Sequence, residues 1–275
     1  MPVWVWAGML AGCLAGGSAV AADAVKVPVP VPSPADSASI AAVRPKTEDV
    51  GVKTPPPGEY LHSWTYTDYA ARVTQFAGLP VMNGGVAFVG DSLTDFGRWS
   101  DAWPNLTIRN FGIVGDTTLG LEYRLNQVIK ARPDRIFVLI GTNDIEYGRP
   151  IPEIAANIDH IIARLQLELP RSKIFLQSVL PRQPQFDEPV RAVNKLIRKV
   201  AETRKVTFVD LYPHFVAEGG RLDPSVTLDD THLAGKGYAR WRALIQDYVY
   251  TPAGQKAEVR LPHRNRPTLN KKVRS

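Results

Sequence analysis

Between residues 59 and 250, short apolar runs alternate with stretches of helical period. The runs fall at 86–90, 106–111, 135–141, 173–180 and 206–212. They are rich in Val, Ile, Leu and Phe and alternate little, as expected of parallel strands buried on both faces. Between and after them, apolar residues recur every three or four positions over 117–131, 152–168, 188–204 and 234–249, which predicts four helices. Ahead of the first run, Tyr66, Tyr69, Val73 and Phe76 share a helical spacing and are expected to pack into the core. Strand and helix alternate throughout, which predicts a doubly wound α/β sandwich.

Ligands of such a sheet sit beyond the carboxyl ends of its strands. Ser92 lies just after the first run, in "VGDSLTD"; Gly112 just after the second, in "IRNFGIVGDTT"; Asn143 just after the third, in "LIGTNDIEYG". Read singly, each is turn chemistry. Together they fall at one edge of one sheet. A serine hydroxyl is a weak nucleophile and needs a base. The candidate is His232, in "TLDDTHLAG", with Asp229 three residues earlier to fix its tautomer. Asp230 is an alternative orienting acid, and "DDTH" also fits a helix cap. Oxyanion donors are expected from the Ser92 N–H, from the Gly112 N–H, which no side chain obstructs, and from the Asn143 amide. Asp91 and Asp95 are expected to bond backbone near the nucleophile. Asp210 and His214, at the end of the last run, are placed to line the site but are assigned structural roles; Trp99 and Trp103 either wall a pocket or pack.

The flanks differ from this domain. Residues 1–22 carry no charged side chain and end in "GGSAVAA", which reads as an export signal, although no basic residue precedes the apolar run. Within it "LAGC" ends at Cys13, the single cysteine of the chain. It resembles the bacterial lipoprotein signal, which implies a lipidated Cys13 and a membrane tether. Residues 23–58 are rich in proline and small residues and read as an extended linker. At ~3.1 Å per residue in the polyproline conformation, it reaches on the order of 100 Å at most. The export signal implies a periplasmic or extracellular protein, anchored at the outer membrane if Cys13 is lipidated.

The net charge of +6 suggests nucleic acid until it is located. Residues 59–253 hold equal numbers of basic and acidic side chains, and the excess belongs to the tail at 251–275. No nucleic-acid partner is therefore expected of the domain. The five histidines (His62, His160, His214, His232, His263) are scattered, without ligand spacing, so no metal and no cofactor are expected.

"GDSL" at 90–93, "NFG" at 110–112, "GTND" at 141–144 and "DDTH" at 229–232 together resemble the GDSL, or SGNH, hydrolases over about 80–250. The likeness is greatest to the branch of platelet-activating-factor acetylhydrolase-like and sialate O-acetylesterase-like enzymes. It implies a flavodoxin-like three-layer α/β/α sandwich with a five-stranded parallel sheet. It also implies a Ser92–His232–Asp229 triad and an oxyanion hole of Ser92, Gly112 and Asn143. "DDTH" departs from the Asp-Gly-Leu-His of many members and implies a stiffer turn before His232. The expected reaction is hydrolysis of a small acyl ester, acetyl on a carbohydrate being the leading case, through an acyl-enzyme. A lysophospholipid or longer-chain lipid ester is the alternative substrate; acyl transfer to an acceptor other than water, or an inactive binding module, are the remaining readings. The Gly-x-Ser-x-Gly elbow of α/β-hydrolases is absent, since Thr94 follows Leu93.

Overall fold

The computed structural model describes residues 63–250 and the single position Pro55. The expected export signal, linker and basic tail lie outside the described residues, Pro55 apart. In chain order the main elements are α1 (Ser63–Ala77), β1 (Val86–Gly90), α2 (Ser92–Asp95), α3 (Trp99–Ala102), β2 (Ile108–Gly112), α4 (Thr118–Ala131), β3 (Arg135–Leu139), α5 (Thr142–Glu146), α6 (Ile151–Glu168), β4 (Lys173–Gln177), α7 (Asp187–Arg204), β5 (Thr207–Val209) and α8 (Gly235–Tyr250). All five strands are parallel, in the order β2-β1-β3-β4-β5. This is the flavodoxin-like order of a doubly wound sheet.

Side chains alternate across the sheet, so each strand feeds two cores. Ala87 and Val89 of β1 and Ile136 and Val138 of β3 face α1, α4, α6 and α7. All four aromatic and aliphatic residues that mark α1 in the sequence lie in this core. Phe88 of β1 and Phe137 of β3 face α3 and α8, with Trp241 and Ile245. There the rings form a column across the strands: Trp99 on Phe88 (4.2 Å), Phe88 on Phe137 (5.0 Å) and Phe137 on Phe175 (4.6 Å). Stacking of this kind adds ~0.5–1.5 kcal/mol per pair beyond area burial.

Apart from β1, the strands are shorter than the apolar runs that announce them. The run at 135–141 leaves the sheet at Leu139, because Gly141 turns at φ 121° and Thr142 starts a helix. The run at 206–212 pairs only over Thr207–Val209 before a 3₁₀ turn at Tyr212–His214. The second run is displaced: its strand begins at Ile108 and ends at Gly112, so Gly112 is its last residue, paired with Gly90, and not the first residue after it. Hydrophobicity marks burial, and burial continues past the point where ladder pairing stops.

Candidate active site

β1 ends at Gly90, where a side chain would stand 2.0 Å from the Leu139 carbonyl and 2.5 Å from Thr94 Oγ1. Only glycine lets the chain pass β3 and enter α2 directly. Asp91 caps that helix, its Oδ1 accepting the Leu93 N–H at 3.0 Å. Ser92 thus occupies the first helical position, with its N–H among the orphan donors of a helix start. Three other elements hold α2. Tyr238 of α8 donates to the Leu93 carbonyl (2.9 Å) and Trp99 Nε1 to the Thr94 carbonyl (2.8 Å). The Asn110 amide of β2 donates to the carbonyls of Thr94, Asp95 and Gly97 at 2.9–3.3 Å. Trp99 and Trp103 are buried in the aromatic column and serve packing.

Ser92 Oγ lies 3.0 Å from His232 Nε2, and His232 Nδ1 lies 2.7 Å from Asp229 Oδ2. The chain of three is continuous and uses both ring nitrogens. Asp229 Oδ1 meanwhile accepts the N–H groups of Thr231 (3.0 Å) and His232 (2.7 Å), so the turn is wrapped around its own carboxylate. Partial burial works against the Asp229 charge, but the bonds from the His232 ring and from the two N–H groups win and hold its carboxyl at about 2. Asp230 points elsewhere. It adopts φ 60° and binds the Arg221 guanidinium at 2.8 and 2.9 Å, which removes it as the orienting acid.

Asn143 stands in the first turn of α5, and its amide donates to the Asp116 carbonyl at 2.8 Å. Gly112 is placed differently from its expected role. Its N–H donates to Asn110 Oδ1 at 2.8 Å, and a Cβ there would lie 2.2 Å from the Asp95 N of the helix that carries Ser92. Gly112 is therefore a contact glycine that lets β2 press against α2. The glycine of this loop with an uncommitted N–H is Gly115, at φ 73° in the turn that the Asn143 amide reaches. Sequence reasoning passed over it. The available signal was the second glycine of "GIVGD", next to the acid whose carbonyl receives Asn143.

Beneath this edge lies a buried polar layer. Arg124, fully buried, binds Asp116 Oδ2 (Nε, 2.8 Å) and the carbonyls of Phe111 (2.8 Å) and Gly90 (3.0 Å). One guanidinium thus ties the ends of β1 and β2 to the Gly115 turn. Burial pushes the Asp116 carboxyl up to about 6 against the pull of Arg124, and pushes Asp91, whose Oδ2 has no partner, up to about 8. Asp144 is likewise raised by burial, against the Thr118 hydroxyl and N–H and against Arg149. Asp95 does not bond backbone as expected but pairs with Arg72. Asp210 pairs with Arg198, and the His214 carbonyl accepts from Arg240. Among the described residues no group of three or more His, Cys, Asp or Glu is arranged to hold a metal ion, and no helix is long and apolar enough to cross a membrane.

The profile of the GDSL-like lipase/acylhydrolase family matches residues 88–240. The platelet-activating factor acetylhydrolase IB subunit alpha2 of Rattus norvegicus is 31% identical over 166 residues, 56% of this chain and 71% of the relative. A solved structure from Streptococcus pneumonia, assigned as a platelet activating factor, superposes with a TM-score of 0.62 at 27% identity, covering 68% of this chain and 95% of the other. A GDSL-like lipase from Bacteroides thetaiotaomicron superposes with a TM-score of 0.55 at 27% identity, covering 66% and 97%.

Proposed function

The chain belongs to the GDSL-like lipase/acylhydrolase family, which makes it an ester hydrolase, and from that premise we propose a serine mechanism acting on small acyl esters. The observation that carries it is the unbroken Ser92–His232–Asp229 chain at the carboxyl edge of the sheet. Ser92 Oγ attacks the ester carbonyl carbon as His232 Nε2 takes its proton. Asp229 holds the ring in the tautomer with Nε2 free and stabilises the imidazolium. The carbonyl oxygen becomes an anion facing the Ser92 N–H, the Asn143 amide and the Gly115 N–H. Collapse breaks the bond to the alcohol, which leaves with the proton returned by His232. Water, deprotonated by His232, then hydrolyses the acyl-Ser92 ester and restores the hydroxyl.

An acetyl group is the leading acyl candidate, supported by the acetylhydrolase relative, with a carbohydrate or other small alcohol on the far side of the bond. One observation favours a second substrate, a longer lipid ester: Phe96 and Leu228 expose apolar side chains beside the catalytic turn. The leader reading places this activity outside the cytoplasm, with Cys13 as the tether; labelling of the full chain by a palmitate analogue, lost in Cys13→Ala, tests that. The function itself is tested with p-nitrophenyl esters from acetate to palmitate, alongside Ser92→Ala. Fast acetate turnover abolished by the substitution is the expected result. A maximum at long chains would move the substrate to lipids, and equal rates in both proteins would overturn the serine mechanism.

A further inference from the structure

The base and acid of this site sit in a solvent-facing turn. The side chains of His232 and Asp229 are 36% and 54% exposed, so packing alone does not set where the imidazole stands. Bonds inside the turn fix its shape: Thr227 Oγ1 donates to the His232 carbonyl at 2.7 Å, and Asp229 gathers its two N–H groups. Those bonds leave open where the turn stands relative to the rest of the site. That position matters, because Nε2 must serve Ser92 and the leaving oxygen while the Asn143 amide serves the oxyanion on the same carbon. The two groups come from different loops.

One dipeptide after β4 touches both loops. Gln183 Nε2 donates to Thr231 Oγ1 at 2.8 Å and to the Asp229 carbonyl at 3.4 Å. Gln183 Oε1 accepts from Arg182 Nε at 3.0 Å. Arg182, 4% exposed, sends Nη1 to the Thr142 carbonyl (3.0 Å) and Nη2 to Glu146 Oε2 (2.9 Å), the two ends of the short helix that carries Asn143. Its guanidinium lies 4.3 Å from the Phe186 ring, which fixes its plane. The Arg182 carbonyl also accepts the Leu222 N–H at 3.0 Å, beside Arg221, which grips Asp230 from the other side of the turn.

We propose that Arg182 and Gln183 form a strap that sets the distance between the base-bearing turn and the oxyanion-binding amide. The inference rests on the serine esterase reading. Both are positioning residues: in this structure neither bonds Ser92 or the imidazole, and they act through Thr231 and α5. The strap is a run of charge-assisted and neutral hydrogen bonds that joins the two loops directly.

The test is a double-mutant cycle on Gln183 and Thr231 in the full chain, with p-nitrophenyl acetate as substrate. Gln183→Ala is expected to lower kcat about tenfold with KM unchanged, since misplacing a reacting group by about 1 Å costs up to 10² in rate. Thr231→Val should lose a similar factor, and the double variant should lose no more than the larger single loss, because the Gln183–Thr231 bond is broken in all three. Gln183→Glu, which still accepts from Arg182 and can accept the Thr231 hydroxyl proton, should recover most of the rate. The strap is overturned if Gln183→Ala keeps the wild-type kcat, if the two single losses multiply in the double variant, or if only KM moves. Absence of Ser92-dependent turnover in the unsubstituted protein would instead overturn the esterase reading.

Discussion

Asn110 holds Gly112 and the nucleophile helix at once: its Oδ1 accepts the Gly112 N–H, and its amide donates to three carbonyls at the end of the helix that carries Ser92. One side chain thereby ties the end of β2 to the helix that follows β1. Asn110→Ala leaves a main-chain donor and several acceptors without their partner in a partly buried place. The expected cost is ~1–3 kcal/mol of stability, read by denaturant unfolding. Turnover should fall as well, because Ser92 loses its support. Unchanged stability would mean that water replaces the amide.

The Asn143 amide and the Gly112 N–H separate in their consequences. Asn143→Ala should reduce kcat by ~10²–10³ with stability little changed, as for loss of one oxyanion donor. Gly112→Ala is expected to act through folding, since its Cβ meets the backbone of Asp95 at 2.2 Å. Thermal melts and kinetics of the two variants check the contrast. A stable Gly112→Ala with a rate as low as that of Asn143→Ala would restore Gly112 to the oxyanion hole.

On the proposed mechanism, substitutions of the two adjacent aspartates before His232 should differ in effect by orders of magnitude. Asp229→Asn retains the shape of the side chain but favours the wrong imidazole tautomer, and kcat should drop by ~10³–10⁴. Asp230→Asn weakens a half-exposed pair with Arg221, worth ~0–1 kcal/mol. Steady-state kinetics at pH 7 decide between them, and comparable losses would contradict the geometry.

Stability should fall as pH rises from about 4 toward 8. Asp91 and Asp116 are raised from 3.8 to about 8 and about 6 in the fold, so across that window the folded chain binds protons that the unfolded chain has released. Asp223 and Asp229, held near 2, act in the opposite sense: their contribution is present above 3.8 and is lost as pH falls toward 2. Asp91→Asn retains the Oδ1 acceptor for Leu93 and removes the titration. Its thermal midpoint should therefore decline less between pH 6 and 8 than that of the unsubstituted chain. Parallel declines would show that Asp91 titrates elsewhere.

Phe96 follows Ser92 by one helical turn, and its half-exposed ring stands 5.3 Å from that of His232. On the proposed mechanism, an ester bound at Ser92 is expected to meet this ring. Phe96→Ala should raise KM for aryl esters about two- to tenfold, in line with the ~0.5–1.5 kcal/mol of an aromatic contact. Equal KM values for both proteins across aryl and alkyl esters would remove Phe96 from the site.

Much of this was legible in the chain because it is local. Unbroken Val/Ile/Phe runs mark strands with two buried faces, and a period of three to four marks the helices that cover them. The breaks at Gly90, Gly112, Gly141 and the turn before His232 put the chemistry at one sheet edge, whatever the details of packing. Asp229 is within reach of the His232 ring because three residues of turn bring it there. What remained hidden depends on which polar group a distant side chain has already engaged. Asn110 takes the Gly112 N–H and leaves that of Gly115 uncommitted; Arg221 takes Asp230 and leaves Asp229 to the imidazole. Arg124 and Arg182 look like ordinary surface charges in the sequence, yet each is buried and ties loops that are distant along the chain. Periodicity records only which side chains leave water. The partners of buried donors and acceptors are chosen when the strands and loops come together, and at this site that choice was made by the tertiary structure alone.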